Sequence, residues 1–474
     1  MPAVDCNENF TVKLYRRRWV VLVVLMLTQC LTAVSYTCFG QVGDFFVTFF
    51  QVSYDQVDWI TLGHMVAPMA ITLPLLWTIH NRKFGLRKLS ITAAGGLTVV
   101  FLCLTLCLCS RKLFAVAMVG QLVGGITATF VMMTSSTFPV LWFPEDEIGT
   151  AIAVNTMGLY LGIGIGTAVP TIAIHKHSHL SEGNTKQIHY IRDFFLIMNG
   201  CFALISLFVT IFFISVAADR PPTAPTKAQA IKQASEKNVQ SENFFKALKR
   251  LACDNHLWLT SAAVGIMVQI ITLEFMLLPE MLRELTQQGR LSINADRCGG
   301  YLLVVYSIGA VVGTIAIGRV MDVYKNYKSL ANTCSVVTTV SAVGFALGFC
   351  FANLPVMFAS NFVYGVGNKA ILVVLFEVAT QHTYPIDETF ASTWLLAWMN
   401  PIGIIIGEIG RLLFDLLGHL AVLVFQSVCL LACSVMVALL SPKRSRLEMN
   451  EKCENEQDPN CNESLALLDL RARP

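Results

Sequence analysis

The sequence predicts an all-α membrane protein of twelve transmembrane helices, arranged as two halves of six. Three observations carry that expectation. The 474-residue chain is 55% hydrophobic and 14% charged, and its mean hydropathy of +0.61 is well above that of a water-soluble globule. Its apolar residues fall in twelve long runs bounded by charge, and one polar stretch separates the first six from the last six. A bilayer-spanning helix uses roughly 20 apolar residues, so twelve consume about 240 and leave little for a second, soluble core. A soluble enzyme is excluded. The net charge of +3 is too small to suggest nucleic-acid binding, so the placement of the charges matters more than their sum.

The expected spans lie near 19–41, 57–79, 89–109, 113–141, 148–173 and 194–216, then 256–280, 299–320, 329–351, 354–378, 391–414 and 418–440. These set the domain boundaries: an N-terminal segment 1–18, a first six-helix bundle 19–216, a linker 217–255, a second bundle 256–440 and a tail 441–474. The linker opens with Pro221-Pro222-Thr223-Ala224-Pro225 and is rich in lysine, which suits a flexible connection. Arg16-Arg17-Arg18 abuts an apolar run too long for the core of a cleavable signal and without a small-residue cleavage site, so it reads as a start anchor. Most of the fifteen cysteines sit inside apolar runs, where thiols act as small hydrophobes.

Positive loops resist translocation, and with both termini inside, roughly three-quarters of the Lys and Arg residues fall on the cytoplasmic side. The linker and the tail are then cytoplasmic. From Leu447 onward the tail is acidic and polar, a composition that favours disorder. Within it, Glu463-Ser464-Leu465-Ala466-Leu467-Leu468 looks like an acidic dileucine sorting signal, so adaptors at Glu463, Leu467 and Leu468 are possible partners. The plasma membrane is the expected location, with endosomes or lysosomes as the alternative. The sequons at Asn9 and Asn462 lie on the side that glycosylation does not reach.

A six-plus-six arrangement invites comparison of equivalent loops. Between spans 8 and 9, Gly318-Arg319-Val320-Met321-Asp322-Val323-Tyr324-Lys325 resembles the G-x-x-x-D-x-x-[GK] signature of the major facilitator superfamily. An Asp at a helix end there can meet cations and backbone amides and latch one conformation. The loop between spans 2 and 3 keeps Gly85, Arg87 and Lys88 but has Arg82 where the signature Asp belongs, so a weaker or differently partnered latch is expected. Ordinary basic turns are the alternative reading of both loops. Span 5 carries Gly158, Gly162, Gly164 and Gly166 before Pro170, which fits either close helix packing or a gating bend.

Further motifs narrow the likeness. Tyr15 to Val21 (Y-R-R-R-W-V-V), Val57-Asp58-Trp59, Gly120-Gln121, Trp142-Phe143 with Glu147 and Thr150-Ala151, Gly265-Ile266-Met267, Asp322 with Lys325, Tyr327 and Lys328, and Glu377 with Tyr384-Pro385 and Glu388 follow one another in register. In this order they resemble the feline leukemia virus subgroup C receptor-related family of major facilitator transporters, over most of residues 15–440. The resemblance implies facilitative movement of choline and related small organic cations, with haem export attributed to some members and vitamin-like molecules to other branches. It also implies a central site in which aromatic rings surround a cationic headgroup. The family's span-1 tryptophan falls on Tyr36 and its span-4 glutamine on Ala128, so one ring is kept in weaker form and one polar contact is lost. The latch positions implied are Arg82, Gly85, Arg87, Glu147, Asp322, Lys325 and Glu388.

Ionisable residues within spans are costly, of order 2.5–3.5 kcal/mol at a helix centre, and so face a cavity or a partner. Glu377 matches the family and could neutralise a cation, whereas Glu274 is this chain's own. Glu408 and Arg411 stand at i and i+3 and are expected to pair on one face. Lys369 can snorkel or meet an acidic partner. Gln121, Asn155, Gln269 and Asn400 are uncharged polar candidates that can equally hydrogen-bond a neighbouring helix. Tyr36, Gln121, Glu274 and Glu377 are the expected substrate contacts, and Glu274, Glu377 or His64 could carry a coupled proton. His175, His177, His179 and His189 lie in one loop, but no acidic or cysteine cluster completes a metal or haem site there.

The function expected is therefore transport of a small organic solute, a cation such as choline or a related amine, by alternating access. Haem or porphyrin export, and a non-transporting receptor or sensor on the same fold, are the alternatives. No catalytic group, cofactor or metal is expected, no phosphate-cradling G-x-x-x-x-G-K-[ST] loop points to ATP-driven transport, and a monomer is the default state.

Overall fold

Backbone amides and carbonyls in hydrocarbon must be satisfied within their own segment, so each apolar run folds as a helix. The computed structural model describes residues 14–40, 43–80, 85–144, 147–175, 185–223, 244–291, 295–324, 326–383 and 388–440. In the first half the long helices are α1 (Arg17–Gly40), α3 (Tyr54–His80), α4 (Leu86–Cys107), α5 (Phe114–Trp142), α6 (Ile148–His175) and α7 (Thr185–Val216), with a short α2 (Gly43–Phe50) after α1. In the second they are α9 (Asn255–Gln287), α10 (Ala295–Val323), α11 (Tyr327–Cys350), α12 (Leu354–Thr383), α13 (Glu388–Leu417) and α14 (His419–Leu439). Ten of the twelve are long and apolar enough by themselves to cross a membrane. The remaining two, α3 and α13, carry two prolines and two histidines in one case and Asn400, Glu408 and Arg411 in the other, and they pack against each other across the two halves.

A short amphipathic helix, α8 (Phe244–Ala252), precedes the second half. Phe244, Leu248 and Leu251 turn into a cluster with Leu76, Leu257, Trp394 and Leu395, while Lys249 and Arg250 occupy its last turn, where cations complement the helix dipole. Asp254 then caps α9 by accepting from the amides of His256 (2.9 Å) and Leu257 (3.3 Å). The end of the bundle that carries α8 is called the linker face below.

The halves repeat each other's seams. In the first, Gly158, Gly162 and Gly166 recur every fourth residue of α6 and let α1 approach until their backbones touch: a Cβ on Gly162 would stand 2.7 Å from that of Ala33. In the second, Gly403 and Gly410 of α13 make room for the side chains of Gln269 and Leu273 of α9. Gly125 of α5 meets the backbone of His64 on α3, and Gly365 of α12 meets that of Tyr306 on α10. Even a hydroxyl contact is duplicated, Thr98 to Thr210 (3.3 Å) between α4 and α7 and Thr339 to Ser434 (2.8 Å) between α11 and α14. The glycine run of α6 thus serves close packing inside one half. Gly164 is different, because its Cβ position faces Ser307 of the other half at 3.3 Å.

Between the halves, α6 lies along α10 and α3 along α13. Replacing Gly162 by Val should overpack the α1–α6 seam and cost about 1–3 kcal/mol, read as a lower unfolding temperature of the detergent-solubilised protein. Gly164→Ala, with only a side chain to displace, should leave that temperature within a degree or two of the original.

Candidate functional site

Midway along the bundle, tyrosines and charged groups from both halves converge. The Lys369 ammonium of α12 lies over the ring of Tyr160 from α6 (5.3 Å to the centroid) and over that of Tyr306 from α10 (5.8 Å). Tyr306 donates to Asn368 Oδ1 (3.1 Å), and Asn368 Nδ2 donates to the Met267 carbonyl of α9 (3.1 Å), so the residue beside the lysine fixes one of its two rings. Tyr364 packs against Tyr306 with centroids 5.6 Å apart. Glu274 is buried seven residues along α9 from Met267, about 10 Å beyond the level at which Asn368 bonds that helix. Tyr36 of α1 packs against the buried cluster to which Tyr160 and Tyr306 belong.

Beside this layer, Tyr36 stacks at a tilt on His64 of α3, ring centroids 5.1 Å apart. The close approach of α3 to Gly124 and Gly125 brings His64 beside Gln121. Gln121 Nε2 donates to the Ser35 carbonyl (2.9 Å), and its Oε1 lies with His64 Nδ1 beside Gly124, so the two buried side chains face each other. Asn155 and Gln269 likewise donate to neighbouring helices, at the carbonyls of Ser135 (3.2 Å) and Met399 (3.4 Å). Ala128 is half-buried on α5.

Of the four expected substrate contacts, the structure brings Tyr36, Gln121 and Glu274 to this region. Glu377 stands apart: it is eight residues beyond Lys369, about 12 Å along α12, where it accepts from Gln381 Nε2 (2.7 Å) close to the linker face. Tyr160, Tyr306 and Tyr364 were absent from the sequence-based set. Their signal was available, since tyrosine favours the two membrane interfaces and each of these stands near mid-span. Lys369 carried the same kind of signal as a mid-span charge.

At the linker face, Asp322 closes α10 onto the other half. Its carboxylate accepts from the amides of Gly149 (2.9 Å) and Thr150 (3.0 Å) and from the Thr150 hydroxyl, at the positive N-terminal end of α6. Nearby, Glu147 pairs with Arg18 at 2.6 Å, and the Arg18 guanidinium lies 4.9 Å over the Phe143 ring, tying the starts of α1 and α6 together within the first half. Leu76 of α3 is buried with Trp394 and Leu395 of α13.

The first-half loop that lacks the signature Asp has its carboxylate from elsewhere. Asp219, just after α7, accepts from the Arg87 amide at the start of α4 (2.9 Å), and Arg87 Nη2 donates to the Ile214 carbonyl (3.0 Å). Gly85 is what admits it, since a Cβ there would stand 2.7 Å from the Asp219 carboxyl carbon. Sequence reading missed this because the replacing residue lies more than a hundred positions away. Arg82 and Lys325 are outside the described residues, and so is the Glu388 side chain.

The expected Glu408–Arg411 pair does not form. Arg411 reaches both carboxylate oxygens of Glu280 on α9 (3.1 and 3.2 Å) and approaches Asp415 one turn on (3.8 Å), because a facing helix offers a carboxylate in better geometry than i−3 on its own. Among the described residues no cluster of His, Cys, Asp and Glu could hold a metal. His177, His179, Glu463, Leu467 and Leu468 lie outside the described residues, as does the side chain of His175, and His189 is exposed.

The sequence model of the Major Facilitator Superfamily matches residues 25–337 and 293–474. The chain belongs to the Major Facilitator Superfamily. Among curated relatives of this superfamily member, the choline/ethanolamine transporter flvcr2a of Danio rerio is 27% identical over 96% of this chain and 93% of the relative. The choline/ethanolamine transporter FLVCR2 of Homo sapiens is 26% identical over 83% and 71%, and FLVCR1 of Mus musculus 26% over 82% and 68%. In fold, the E. coli fucose:proton symporter FucP superposes with a TM-score of 0.65 at 14% identity, covering 90% of this chain and all of that one. A bacterial homologue of the iron transporter ferroportin, in its outward-facing state, gives 0.63 at 12% identity, covering 88% and 98%. The chain is thus a multi-pass membrane transporter of this superfamily.

Asp322→Asn removes a charge that receives three donors, each charge-assisted bond contributing about 1.5–3 kcal/mol. The linker face should then open more often, and a cysteine introduced by Ile152→Cys should react with a membrane-impermeant maleimide from that face roughly 10-fold faster or more.

Proposed function

We propose that this chain carries a small ammonium-bearing solute, choline or a related amine, across the membrane by alternating access. The observation that carries this reading is the mid-bundle grouping of the Tyr36 ring, from the first half, with the buried carboxylate of Glu274, from the second, beside tyrosines that already hold the Lys369 ammonium. Ring faces attract a cation, and a buried carboxylate neutralises it. The names of the relatives, choline/ethanolamine transporters, support the same substrate class. A site at the interface of two similar halves can be exposed to either side as they rock.

In this reading the linker face is cytoplasmic, as the positive residues of the linker and of the N-terminal Arg16 to Arg18 favour. The contacts of Asp322 with Gly149 and Thr150 close that side, and their breakage releases the solute inward. The chain works as a monomer, in the plasma membrane. Substrate contacts are assigned to Tyr36, Gln121 and Glu274, with Glu377 beneath them toward the cytoplasmic closure.

Flux into proteoliposomes with choline, ethanolamine, pyridoxine and haem tests the reading; saturable uptake of the first two is expected, and uptake of none of them would refute transport of this class. A desolvated cation–π contact is worth about 2 kcal/mol, so Tyr36→Ala should lower the apparent affinity for choline about 30-fold. Tyr36→Trp should preserve or raise it. Unchanged affinity in Tyr36→Ala would remove this ring from the site.

A further inference from the structure

Two opposite charges lie buried in the central layer without touching. Lys369 is 3% exposed and Glu274 4%. Asn368, next to the lysine, bonds Met267 of α9, and Glu274 stands about 10 Å along that helix; no hydrogen bond or ion pair joins either head group to the described residues. Ionised side chains at mid-span are expensive to bury, and a pair built only to hold helices together would gain most by closing into direct contact. Here the lysine lies instead over the faces of two tyrosines, one from each half. Asn368 pins the second ring, so the arrangement is braced rather than incidental.

The consequence for a ligand is specific. Tyr160 and Tyr306 are already covered by a cation that belongs to the protein, and a second cation on the same faces would meet a like charge. An incoming ammonium is therefore directed to Glu274 and Tyr36, while the Lys369 ammonium presents its donors to whatever group the ligand carries a few bonds away. The complement of a carboxylate and an ammonium set apart within one site is a molecule with the reverse pair.

We propose that Lys369 and Glu274 together make this a site for small zwitterions, taking the substrate's ammonium on Glu274 and Tyr36 and a carboxylate, or an equivalent anionic group, on Lys369. This rests on the reading of the central layer as the site of an ammonium-bearing solute and narrows it. Lys369 is then the specificity-determining residue, because it separates a zwitterion from a plain cation that shares the same headgroup.

Glycine betaine and choline provide the probe pair, since both carry a trimethylammonium group and differ in having a carboxylate or a hydroxymethyl at the other end. In proteoliposomes of the full chain, unlabelled betaine should compete for uptake at least about 10-fold more effectively than choline, the scale of one charge-assisted hydrogen bond. Lys369→Met should bring the betaine-to-choline ratio to about one or below, and Lys369→Arg should keep it above one. The shift in unfolding temperature that each compound produces in detergent gives the same comparison for variants that fold but do not turn over. A wild-type preference for choline, or a ratio that Lys369→Met leaves unchanged, would overturn the proposal while leaving amine transport intact. Failure of both compounds to move or to stabilise the protein would overturn the amine reading as well.

Discussion

A lysine ammonium held in the middle of twelve helices is the constraint around which the central layer is arranged. A charge there is tolerated only if rings, dipoles and an opposite charge replace the water it has lost. The chain supplies Tyr160 from one half, Tyr306 from the other and the buried carboxylate of Glu274 on α9. Asn368 links the lysine's neighbouring ring to the α9 backbone through Met267. Because the rings come from opposite halves, any rocking of one half on the other changes what surrounds the ammonium. Binding chemistry and conformational change therefore meet at one side chain.

Rocking requires that each half move as a unit, and the glycine seams explain why it can. Without a hydrophobic force between helices in lipid, close van der Waals contact carries association. Gly158, Gly162 and Gly166 let α1 and α6 touch backbone to backbone, and Gly403 and Gly410 of α13 make room for side chains of α9. Contacts between halves are more mixed. Gly149 of α6 and Gly318 of α10 also approach closely, and beside them stand an Asp on a helix N-terminus, leucine against tryptophan, and a lysine on a tyrosine. Polar and ring contacts of this kind can be exchanged one for another, whereas a glycine seam cannot open without leaving its cavity empty.

How much of this was legible in the sequence depended on whether the signal was local. Twelve spans and their order followed from apolar runs and charge boundaries, because the bilayer imposes one length on each segment. Asp322 was legible as a latch from its place in a basic turn after a glycine, though not its partners on α6. Tyr36 and Glu274 were found as exceptions inside apolar runs. Tyr160 and Tyr306 carried only the weaker signal of a tyrosine away from the membrane interfaces, and it gains meaning once a lysine from a third helix is seen over both rings. Arg411 was paired with the wrong carboxylate because sequence spacing ranks neighbours on one helix, and Glu280 belongs to another.

The latches of the two halves are unequal in a way that bears on the cycle. In the second half Asp322 reaches across to the start of α6, so its three bonds must break whenever the linker face opens. In the first half the equivalent loop has Arg82 in the signature position, and the carboxylate that meets the start of α4 comes from Asp219 of the same half. That bond joins α4 to the end of α7 and is indifferent to the position of the other half. Losing the signature Asp thus does not leave the amides of α4 unserved; it transfers their carboxylate from a residue that could face the partner half to one that cannot. Among the described residues, Asp322 is the carboxylate seen to close the linker face across the halves, while Leu76 with Trp394 and Leu395 contributes apolar burial on the opposite seam. Opening that face must therefore break the Asp322 bonds and expose the leucine and tryptophan surface, whereas the Asp219 bond can persist through it.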